Sequence, residues 1–376
     1  MKQNSKIKIL FFTPFAGYTG SEVMLFNMLR AIDLDKFEIN LYALNKGELL
    51  DKLPSEIRTY YYKGIGGIGR RIQNKMMNLF SGSSSLERSV MQIHNDFKPD
   101  IWYLNTILLD GIADIADKHK IKYAVHFHEL LRQYNYVSAD KMRKMVDGAF
   151  YTVGCSDCVC NNLKILGSPS PLKQYECIDT SAIKIDKEKV NKLRKELNIP
   201  DGYSIVTMSG QQTEIKGIDI FIDVAKKLQN KPYYFLWLGA SPNTGYGFFL
   251  KKFIDYNKLT NIKLIHPHRN DYYNYLDLAD IFFLSSREDS FPLVMLEAAY
   301  LSKYIVSLNS GGVKEFVNND FGCLIDSWNV DDIALELERC IKNLAGMKAS
   351  LNGKQQALKF DVMNQVKLFE EILSNK

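Results

Sequence analysis

Short apolar, β-branched runs alternate with amphipathic helical stretches along almost the whole chain. This alternation is typical of parallel βαβ units, in which helices cover both faces of buried strands. It is interrupted once, at Ser168-Pro169-Ser170-Pro171, which a short strand at 174–177 and a charged connector at 179–198 follow. The other predicted strands are 6–13, 37–43, 57–62, 100–104, 122–126 and 149–153 before the interruption, and 204–208, 233–238, 262–265, 281–284, 304–307 and 322–325 after it.

The interruption predicts two doubly wound, Rossmann-like α/β domains. We expect an N-terminal domain over 1–180, a C-terminal domain over 181–360 and a last helix over 361–376 that returns to the first domain. A chain of 376 residues is also too long for one hydrophobic core. Ligands of such sheets bind beyond the carboxyl ends of the strands, so two sheets facing each other would share a site in a cleft.

Composition and charge exclude several classes of protein. A hydrophobic fraction of 46% is that of a globular protein. A net charge of +5 is too small for a nucleic-acid binder, and no run reaches the roughly 18 to 20 apolar residues of a membrane-spanning helix. The first 15 residues lack a small-residue cleavage site, so we interpret them as a strand and expect a cytoplasmic protein.

Most of the net positive charge lies in one segment around residues 60–90. Over 70–80 its basic residues alternate with apolar ones at roughly helical spacing, which favours either a helix packed on the sheet or one resting on an anionic membrane. Both interpretations stay open, and the second would make residues 64–80 a peripheral contact with the inner face of the membrane. The same segment spells G-x-G-x-x-G at 64–69, but the motif follows the third strand instead of the first, which disfavours a dinucleotide-binding oxidoreductase.

The six cysteines do not indicate disulfides or a metal site. Cys155, Cys158 and Cys160 form C-x-x-C-x-C, but neither a second cysteine pair nor a nearby histidine supplies a fourth zinc ligand in the sequence. His126 and His128 would face the same side of a strand without a third ligand. We therefore expect reduced thiols and no bound metal.

Residues 285–299, SSREDSFPLVMLEAA, are the most informative stretch. They leave a strand, pass through an acidic turn and enter a helix with Pro292 near its first turn, where a missing N–H costs nothing. The free N–H groups of a helix start attract anions. Glu297, about a turn and a half further on, can accept two hydrogen bonds from a vicinal diol such as a ribose.

This stretch resembles the acidic signature of retaining glycosyltransferase family four, the group 1 glycosyltransferases, which have the two-domain GT-B fold. The family separates two acidic residues by seven others, and these positions fall on Asp289 and Glu297. The resemblance implies that Glu297 holds the ribose hydroxyls and that Asp289 holds hydroxyls of the transferred sugar. It also places the donor beside Ser290, Phe291, Pro292, Leu293 and Val294.

A second match is SGQQTEIKGID at 209–219. Lys216 fits the family's lysine that neutralises the diphosphate leaving group. Gln211 stands where the family has an arginine, so one positive charge is missing from the donor site. The resemblance therefore implies that Lys216 and the helix dipole stabilise the diphosphate.

The first domain carries two further matches. FAGYTGSE at 15–22 resembles the family's Gly-Gly-x-Glu loop, with Thr19 in place of one glycine, and Gly20 would allow a close approach to the donor phosphates or the acceptor. HFHE at 126–129 resembles the family's His-Glu site, which implies that His128 contacts the transferred sugar. The acceptor side would comprise Gly17, Thr19, Glu22, Asn105 and Glu129.

Together these matches imply a retaining, metal-independent glycosyltransferase without a cofactor. His128, Lys216 and Asp289 would be its catalytic residues. Its partners would be a nucleotide-diphosphate sugar donor and a glycan or lipid-linked acceptor, in bacterial-type polysaccharide or glycan assembly. Two alternatives stay open, a sugar-nucleotide epimerase of the same fold and, because Gln211 is atypical, a catalytically silent partner subunit that binds nucleotide sugars.

Overall fold

The computed structural model describes residues 6–64, 83–266, 268–344 and 349–374. They form two compact units, the first of Met1–Cys177 with Val362–Lys376 and the second of Ile178–Asp361. The chain therefore changes unit three residues before the predicted boundary at 180/181, and changes back one residue after that at 360/361.

The first unit is a seven-stranded parallel sheet with the strand order β3-β2-β1-β4-β5-β6-β7. Its C-terminal helix, Val362–Ser374, lies against the sheet, since the Phe369 ring is 6.2 Å from that of Phe11 and 5.6 Å from that of Tyr103. The strands are β1 (Ile7–Phe15), β2 (Phe37–Asn45), β3 (Arg58–Tyr61), β4 (Ile101–Leu104), β5 (Tyr123–Phe127), β6 (Tyr151–Gly154) and β7 (Leu172–Lys173). The described helices are α1 (Gly20–Ala31), α2 (Ser85–Phe97), α3 (Asp110–Lys118), α4 (Ala139–Gly148) and α5 (Asp157–Ile165), besides the C-terminal one.

The second unit is a six-stranded parallel sheet with the order β10-β9-β8-β11-β12-β13. Its strands are rich in apolar residues, and Trp237, Phe235 and Phe282 are fully buried. The strands are β8 (Ser204–Ser209), β9 (Tyr233–Leu238), β10 (Ile262–Ile265), β11 (Ile281–Leu284), β12 (Tyr304–Leu308) and β13 (Gly322–Ile325). The described helices are α6 (Lys187–Glu196), α7 (Ile218–Lys227), α8 (Gly245–Tyr256), α9 (Tyr272–Asp277), α10 (Leu293–Tyr300), α11 (Val330–Asn343) and α12 (Ala349–Leu358), and the C-terminal helix of the first unit is α13.

Both sheets reverse their strand order beside their first strand. The reversal lies between β1 and β4 in the first unit and between β8 and β11 in the second. In doubly wound sheets the loops that leave such neighbouring strands diverge and open a crevice at the carboxyl ends. The prediction of two parallel α/β sheets is confirmed, and each has one such switch point.

Near the domain boundary one predicted strand is misplaced, and the predicted connector contains a helix that the sequence analysis did not identify. The strand expected at 174–177 lies earlier, at β7 (Leu172–Lys173), and the Gln174 N–H still donates to the Gly154 carbonyl of the sheet at 3.0 Å. The buried Gln174 amide then donates to the Tyr175 carbonyl at 3.1 Å and to Gln365 Oε1 at 3.2 Å. The charged connector at 179–198 contains helix α6, which Asp186 caps by accepting from the Lys189 N–H. Its high charge conceals an apolar face on which Leu193 packs into a small core.

Most of the basic segment lies outside the residues that the structure describes. Residues 65–80 of the predicted membrane contact, and with them most of the glycine motif at 64–69, lie outside the described residues. Within the described ranges, no helix combines the length and apolarity that crossing a membrane requires.

Gly217 allows the loops after β8 and β11 to touch. It precedes helix α7 with a φ of +70°, and a Cβ built on it would lie 1.9 Å from the Ser285 carbonyl oxygen. The Ser285 hydroxyl also donates to the Lys216 carbonyl at 3.2 Å. A side chain at position 217 would therefore separate the two loops as well as strain the backbone.

We predict that Gly217→Ala destabilises the protein by about 3 kcal/mol, because backbone strain and a clash with a carbonyl oxygen add together. Gly202 is a matched control, since its φ is +77° but its Cβ would meet nothing within 4 Å. Gly202→Ala should cost only about 1 kcal/mol, from strain alone. Urea unfolding measures both, and equal losses would show that the approach of the two loops does not need a glycine.

Candidate active site

Lys216 and Asp289 form an ion pair at the switch point of the second unit. Lys216 lies in the loop after β8 and Asp289 in the loop after β11, and the Nζ and Oδ2 atoms are 2.7 Å apart. The Asp289 side chain is 7% exposed, whereas that of Lys216 is 30% exposed. The Lys216 side chain therefore stays partly accessible to solvent, while the buried Asp289 carboxylate holds its ammonium group in place.

Arg287 fastens the two loops together. Its guanidinium donates to both carboxylate oxygens of Asp219 at 2.7 and 2.6 Å and to the Glu214 carbonyl at 2.8 Å. Its backbone N–H donates to the Ile215 carbonyl at 2.8 Å. Burial acts to raise the pKa of Asp219, but Arg287 outweighs it and holds that pKa below its usual value.

Helix α10 begins directly after the acidic turn. Pro292 occupies its N-cap position without a side-chain hydrogen bond to the first turn, so the N–H groups of that turn are not capped by a side chain. Phe291 is buried, with its ring 5.1 Å from that of Phe360. The Phe291 side chain thus anchors the turn in the core. Ser290, Leu293 and Val294 are themselves only partly buried.

Glu297 is held by two tyrosines that sequence reasoning missed. The Tyr272 hydroxyl lies 3.0 Å from Glu297 Oε2 and 3.0 Å from Ser209 Oγ, and the Tyr273 hydroxyl donates to Glu297 Oε1 at 3.0 Å. Burial raises the pKa of Glu297 to about 7, although both phenols act in the opposite direction. Each carboxylate oxygen has a second lone-pair direction, so the carboxylate can still accept a diol.

The two glutamines after β8 differ in role. Gln211, which replaces the family's arginine, is exposed. Gln212 ties the loop to the start of helix α8, since its amide nitrogen donates to the Ser241 carbonyl at 2.8 Å and its oxygen accepts from the Ser241 N–H at 2.9 Å. The second glutamine therefore shapes the loop that carries Lys216.

A buried polar cluster lies at the switch point of the first unit. Asn105, after β4, donates to the Ser21 carbonyl at 3.0 Å, and its Oδ1 lies 3.3 Å from Nε2 of His128. The Glu129 carboxylate accepts from the His128 N–H at 2.9 Å. Glu22, on helix α1, is 3% exposed, and burial raises its pKa. The structure thus brings four predicted site residues together, namely Glu22, Asn105, His128 and Glu129.

Glu176 completes this cluster and was not predicted. Its Oε1 lies 2.6 Å from Nδ1 of His128. Although burial alone would lower the pKa of His128, Glu176 and then Glu129 and Glu22 outweigh it and raise that pKa above the usual value. Glu176 sits in the segment expected to be a strand, and no spacing relates it to His128.

His126 differs from His128 in charge. Its ring centroid is 3.9 Å from that of His128, and its Nδ1 lies 3.0 Å from the Tyr103 hydroxyl. Burial, followed by the neighbouring His128, lowers its pKa well below the usual value. The strand therefore presents one neutral imidazole beside one that favours a proton.

His128, Cys155 and Glu176 offer three buried potential metal-ligand atoms within 4.8 Å of one another. The expectation that His128 lacks ligand partners was therefore wrong, because the fold brings distant residues to it. However, the 2.6 Å between His128 Nδ1 and Glu176 Oε1 is a hydrogen-bond length, whereas two ligands of one zinc ion lie about 3.3 Å apart. As folded, the group is a hydrogen-bonded pair beside a thiol, and the absence of a metal stays a prediction.

The loop after β1 leaves space at the start of helix α1. A Cβ on Gly20 would meet nothing within 4 Å, and Thr19 precedes it as an N-cap without a side-chain hydrogen bond. Gly17 instead makes room for Phe15, whose ring would lie 1.8 Å from a Cβ at position 17. Packing against Phe15 thus explains why position 17 is a glycine. No such contact explains the glycine at position 20, where the open space would let a ligand approach the backbone.

Comparison with known proteins identifies the second unit. The family model described as "Glycosyl transferases group 1" matches residues 189–357. These residues belong to the group 1 glycosyltransferases. The match contains Lys216, Asp289 and Glu297, so the resemblance inferred from their motifs is confirmed for this glycosyltransferase unit.

Two curated relatives extend the comparison. The chain is 28% identical over 206 residues to N,N'-diacetylbacillosaminyl-diphospho-undecaprenol alpha-1,3-N-acetylgalactosaminyltransferase of Campylobacter jejuni, and the match spans 51% of each protein. It is 35% identical over 121 residues, 31% of each protein, to alpha-galactosylglucosyldiacylglycerol synthase of Streptococcus pneumoniae. The chain thus spans about half the length, or less, of the curated relatives it matches.

A solved structure covers both units. HepE of Anabaena in complex with UDP-glucose matches 98% of this chain and 100% of its own with a TM-score of 0.81, at 19% identity. At this identity the likeness establishes the fold, which is the GT-B fold of two parallel-sheet α/β domains.

We predict that Glu297 titrates near pH 7, because burial raises its pKa to about 7. Tyr273→Phe should raise this pKa further, since it removes a hydrogen bond that favours the carboxylate. Carbon-13 NMR of carboxyl-labelled glutamate, assigned by the loss of the signal in Glu297→Gln, measures both values. Tyr275→Phe on the same helix is the control, and a Glu297 midpoint near pH 4.5 in the wild type would contradict the burial argument.

Proposed function

We propose that this protein is a glycosyltransferase that moves a sugar from a nucleotide-diphosphate sugar to an acceptor hydroxyl. The observation that carries the proposal is the meeting of Lys216, Asp289 and the uncapped start of helix α10 at one switch point, inside the matched family region. This geometry is that of an anion site with a fixed cation. The structurally similar HepE was solved in complex with UDP-glucose, which supports a donor of this class.

Lys216 is proposed to stabilise the diphosphate. An ammonium group has three donors, and Asp289 accepts only one of them, so two remain for phosphate oxygens. The first-turn N–H groups of helix α10 add a partial positive charge to the same site. Because Gln211 is neutral, these two sources would carry the charge stabilisation that an arginine would otherwise share.

Glu297 is proposed to hold the ribose. Tyr272 and Tyr273 fix both carboxylate oxygens in place and leave one acceptor direction on each for the 2′ and 3′ hydroxyls. Because the two tyrosines already hold the Glu297 carboxylate, it would lose little side-chain entropy when it binds a diol. The ionised form, which predominates above about pH 7, is the better acceptor.

The reaction is proposed to retain the anomeric configuration and to need no metal. The bond between the anomeric carbon and the leaving phosphate oxygen breaks as Lys216 stabilises the diphosphate, and the acceptor oxygen forms the new bond on the same face. The acceptor proton passes to the departing phosphate oxygen. Asp289 is proposed to accept a hydrogen bond from a hydroxyl of the sugar, through the carboxylate oxygen that does not bind Lys216.

The polar cluster of the first unit is proposed to hold the acceptor and orient its hydroxyl. His128 is proposed to contact the transferred sugar beside it, with Glu176 at one ring nitrogen and Asn105 near the other. The names of the two curated relatives contain undecaprenol and diacylglycerol. We therefore propose a lipid-linked acceptor carrying a sugar or a diphosphate.

We predict that Lys216→Ala lowers transfer by about 100-fold or more, as loss of a fixed charge-stabilising donor does in other enzymes. Lys227→Ala is the matched control, because Lys227 is exposed and pairs with Asp331 on the surface of the same unit. Release of nucleoside diphosphate from a panel of nucleotide sugars measures the rate. Equal activity of the two variants, with unchanged folding, would contradict the assignment of Lys216.

The same assay distinguishes the alternatives. The proposal predicts that turnover survives exhaustive EDTA treatment and that proton NMR of the first-formed glycoside shows the donor's anomeric configuration. An epimerised nucleotide sugar without a glycoside product would instead identify an epimerase. Binding of the nucleotide sugar without any turnover would identify a silent partner subunit.

A further inference from the structure

Helix α8 of the second unit turns a row of aromatic side chains toward solvent. Its sequence is GYGFFLKKFIDY, and among its residues only Gly247 and Leu250 are buried. Phe249 is 73% exposed and Tyr256 is 87% exposed. With Tyr246, Phe248 and Phe253, which are also exposed, they form what we call the aromatic face.

The aromatic face follows from helical geometry. At 100° per residue, Gly247, Leu250 and Ile254 share the side that faces the unit. Phe249 and Tyr256 fall on the opposite side, within about 20° of each other. The helix therefore differs from an ordinary surface helix, because its largest apolar side chains point to solvent and not to the core.

Lysines lie within and beside this face. Lys251 and Lys252 lie on the helix and Lys258 follows it, whereas its one acid, Asp255, is paired with Lys251 at 3.1 Å. The Nζ of Lys252 lies 5.6 Å from the Phe248 ring centroid. Lys226, from helix α7, lies 5.6 Å from the Phe253 ring centroid, so the ammonium groups stand beside the rings.

We propose that the aromatic face binds an anionic lipid surface. Phenylalanine and tyrosine rings enter the boundary between headgroups and acyl chains, and flanking lysines pair with lipid phosphates. A protein partner fits the composition less well, since lysine is depleted in the cores of protein interfaces. The charge and the aromatic content of helix α8 thus both indicate an anionic lipid surface.

The position of the helix links this surface to the donor site. Thr244 caps helix α8, and Gln212 joins the segment before the helix to the loop that carries Lys216. Under the proposed function, lipid binding through helix α8 would hold the donor site close to a lipid-linked acceptor. The lipid binding itself does not depend on that function.

Sedimentation with vesicles tests the proposal on the full chain without donor or turnover. The vesicles contain equal parts of phosphatidylglycerol and phosphatidylcholine, and phosphatidylcholine alone serves as the uncharged comparison. We expect the wild type to sediment with the anionic vesicles at low salt. Phe249→Ser with Tyr256→Ser should lower the partition coefficient about tenfold or more, because two inserted rings are lost. Lys251→Glu with Lys252→Glu should lower it similarly, and high salt should weaken wild-type binding.

Trp328→Ser and Leu335→Ser are the matched controls. Both residues are exposed and apolar, at 51% and 68%, and belong to the same unit outside helix α8. Neither should change the partition coefficient. The proposal is overturned if the wild type does not sediment, or if it sediments and the helix α8 variants bind equally well. A dimer in sedimentation velocity that Phe249→Ser with Tyr256→Ser dissociates would also overturn it, by assigning the face to a second copy of the chain. Because no step needs a nucleotide sugar, failure here leaves the proposed transferase activity untouched.

Discussion

The contact between Lys216 and Asp289 joins two loops that are 73 residues apart in sequence, and the proposed donor site depends on it. The strand order makes the contact available, because β8 and β11 are neighbours although β9 and β10 separate them in sequence. Gly217 lets the loops approach, and Arg287 fixes them by holding Asp219 with two hydrogen bonds. The lysine is thus placed before any ligand arrives, which is the condition for electrostatic catalysis.

Much of the fold could be predicted from the sequence because buried parallel strands and their helices have distinct periods. The strands at Tyr233–Leu238, Ile262–Ile265, Ile281–Leu284 and Gly322–Ile325 have the predicted bounds. The strand after β6 was placed two residues too late, because β7 has only two residues and is too short to show an alternating pattern. Helix α6 was missed for a different reason, since the charged and polar side chains that make up most of its sequence obscure the apolar side of Leu193.

The candidate site divides in the same way. Asp289 and Glu297 lie in one local pattern at fixed spacing and Lys216 lies in a second local motif, so a single sequence reveals all three. Tyr272, Tyr273 and Glu176 act through contacts made only on folding, across 24 to 48 residues. Burial raises the pKa of Glu297 against the effect of its two tyrosines, whereas Glu176 raises the pKa of His128 against the effect of burial. Residue type therefore indicates which groups are present, and the fold determines their charge.

Hydrogen-exchange mass spectrometry of the full chain, with and without a nucleoside diphosphate, tests the central claim most directly. The claim is that the loops after β8 and β11, with the start of helix α10, form one diphosphate site. It predicts that the ligand slows exchange together in 209–217 and 289–297, because a ligand that bridges the two loops would restrict the opening of both. Protection of the glycine motif at 64–69 alone, or of neither loop at a saturating ligand concentration, would contradict the claim.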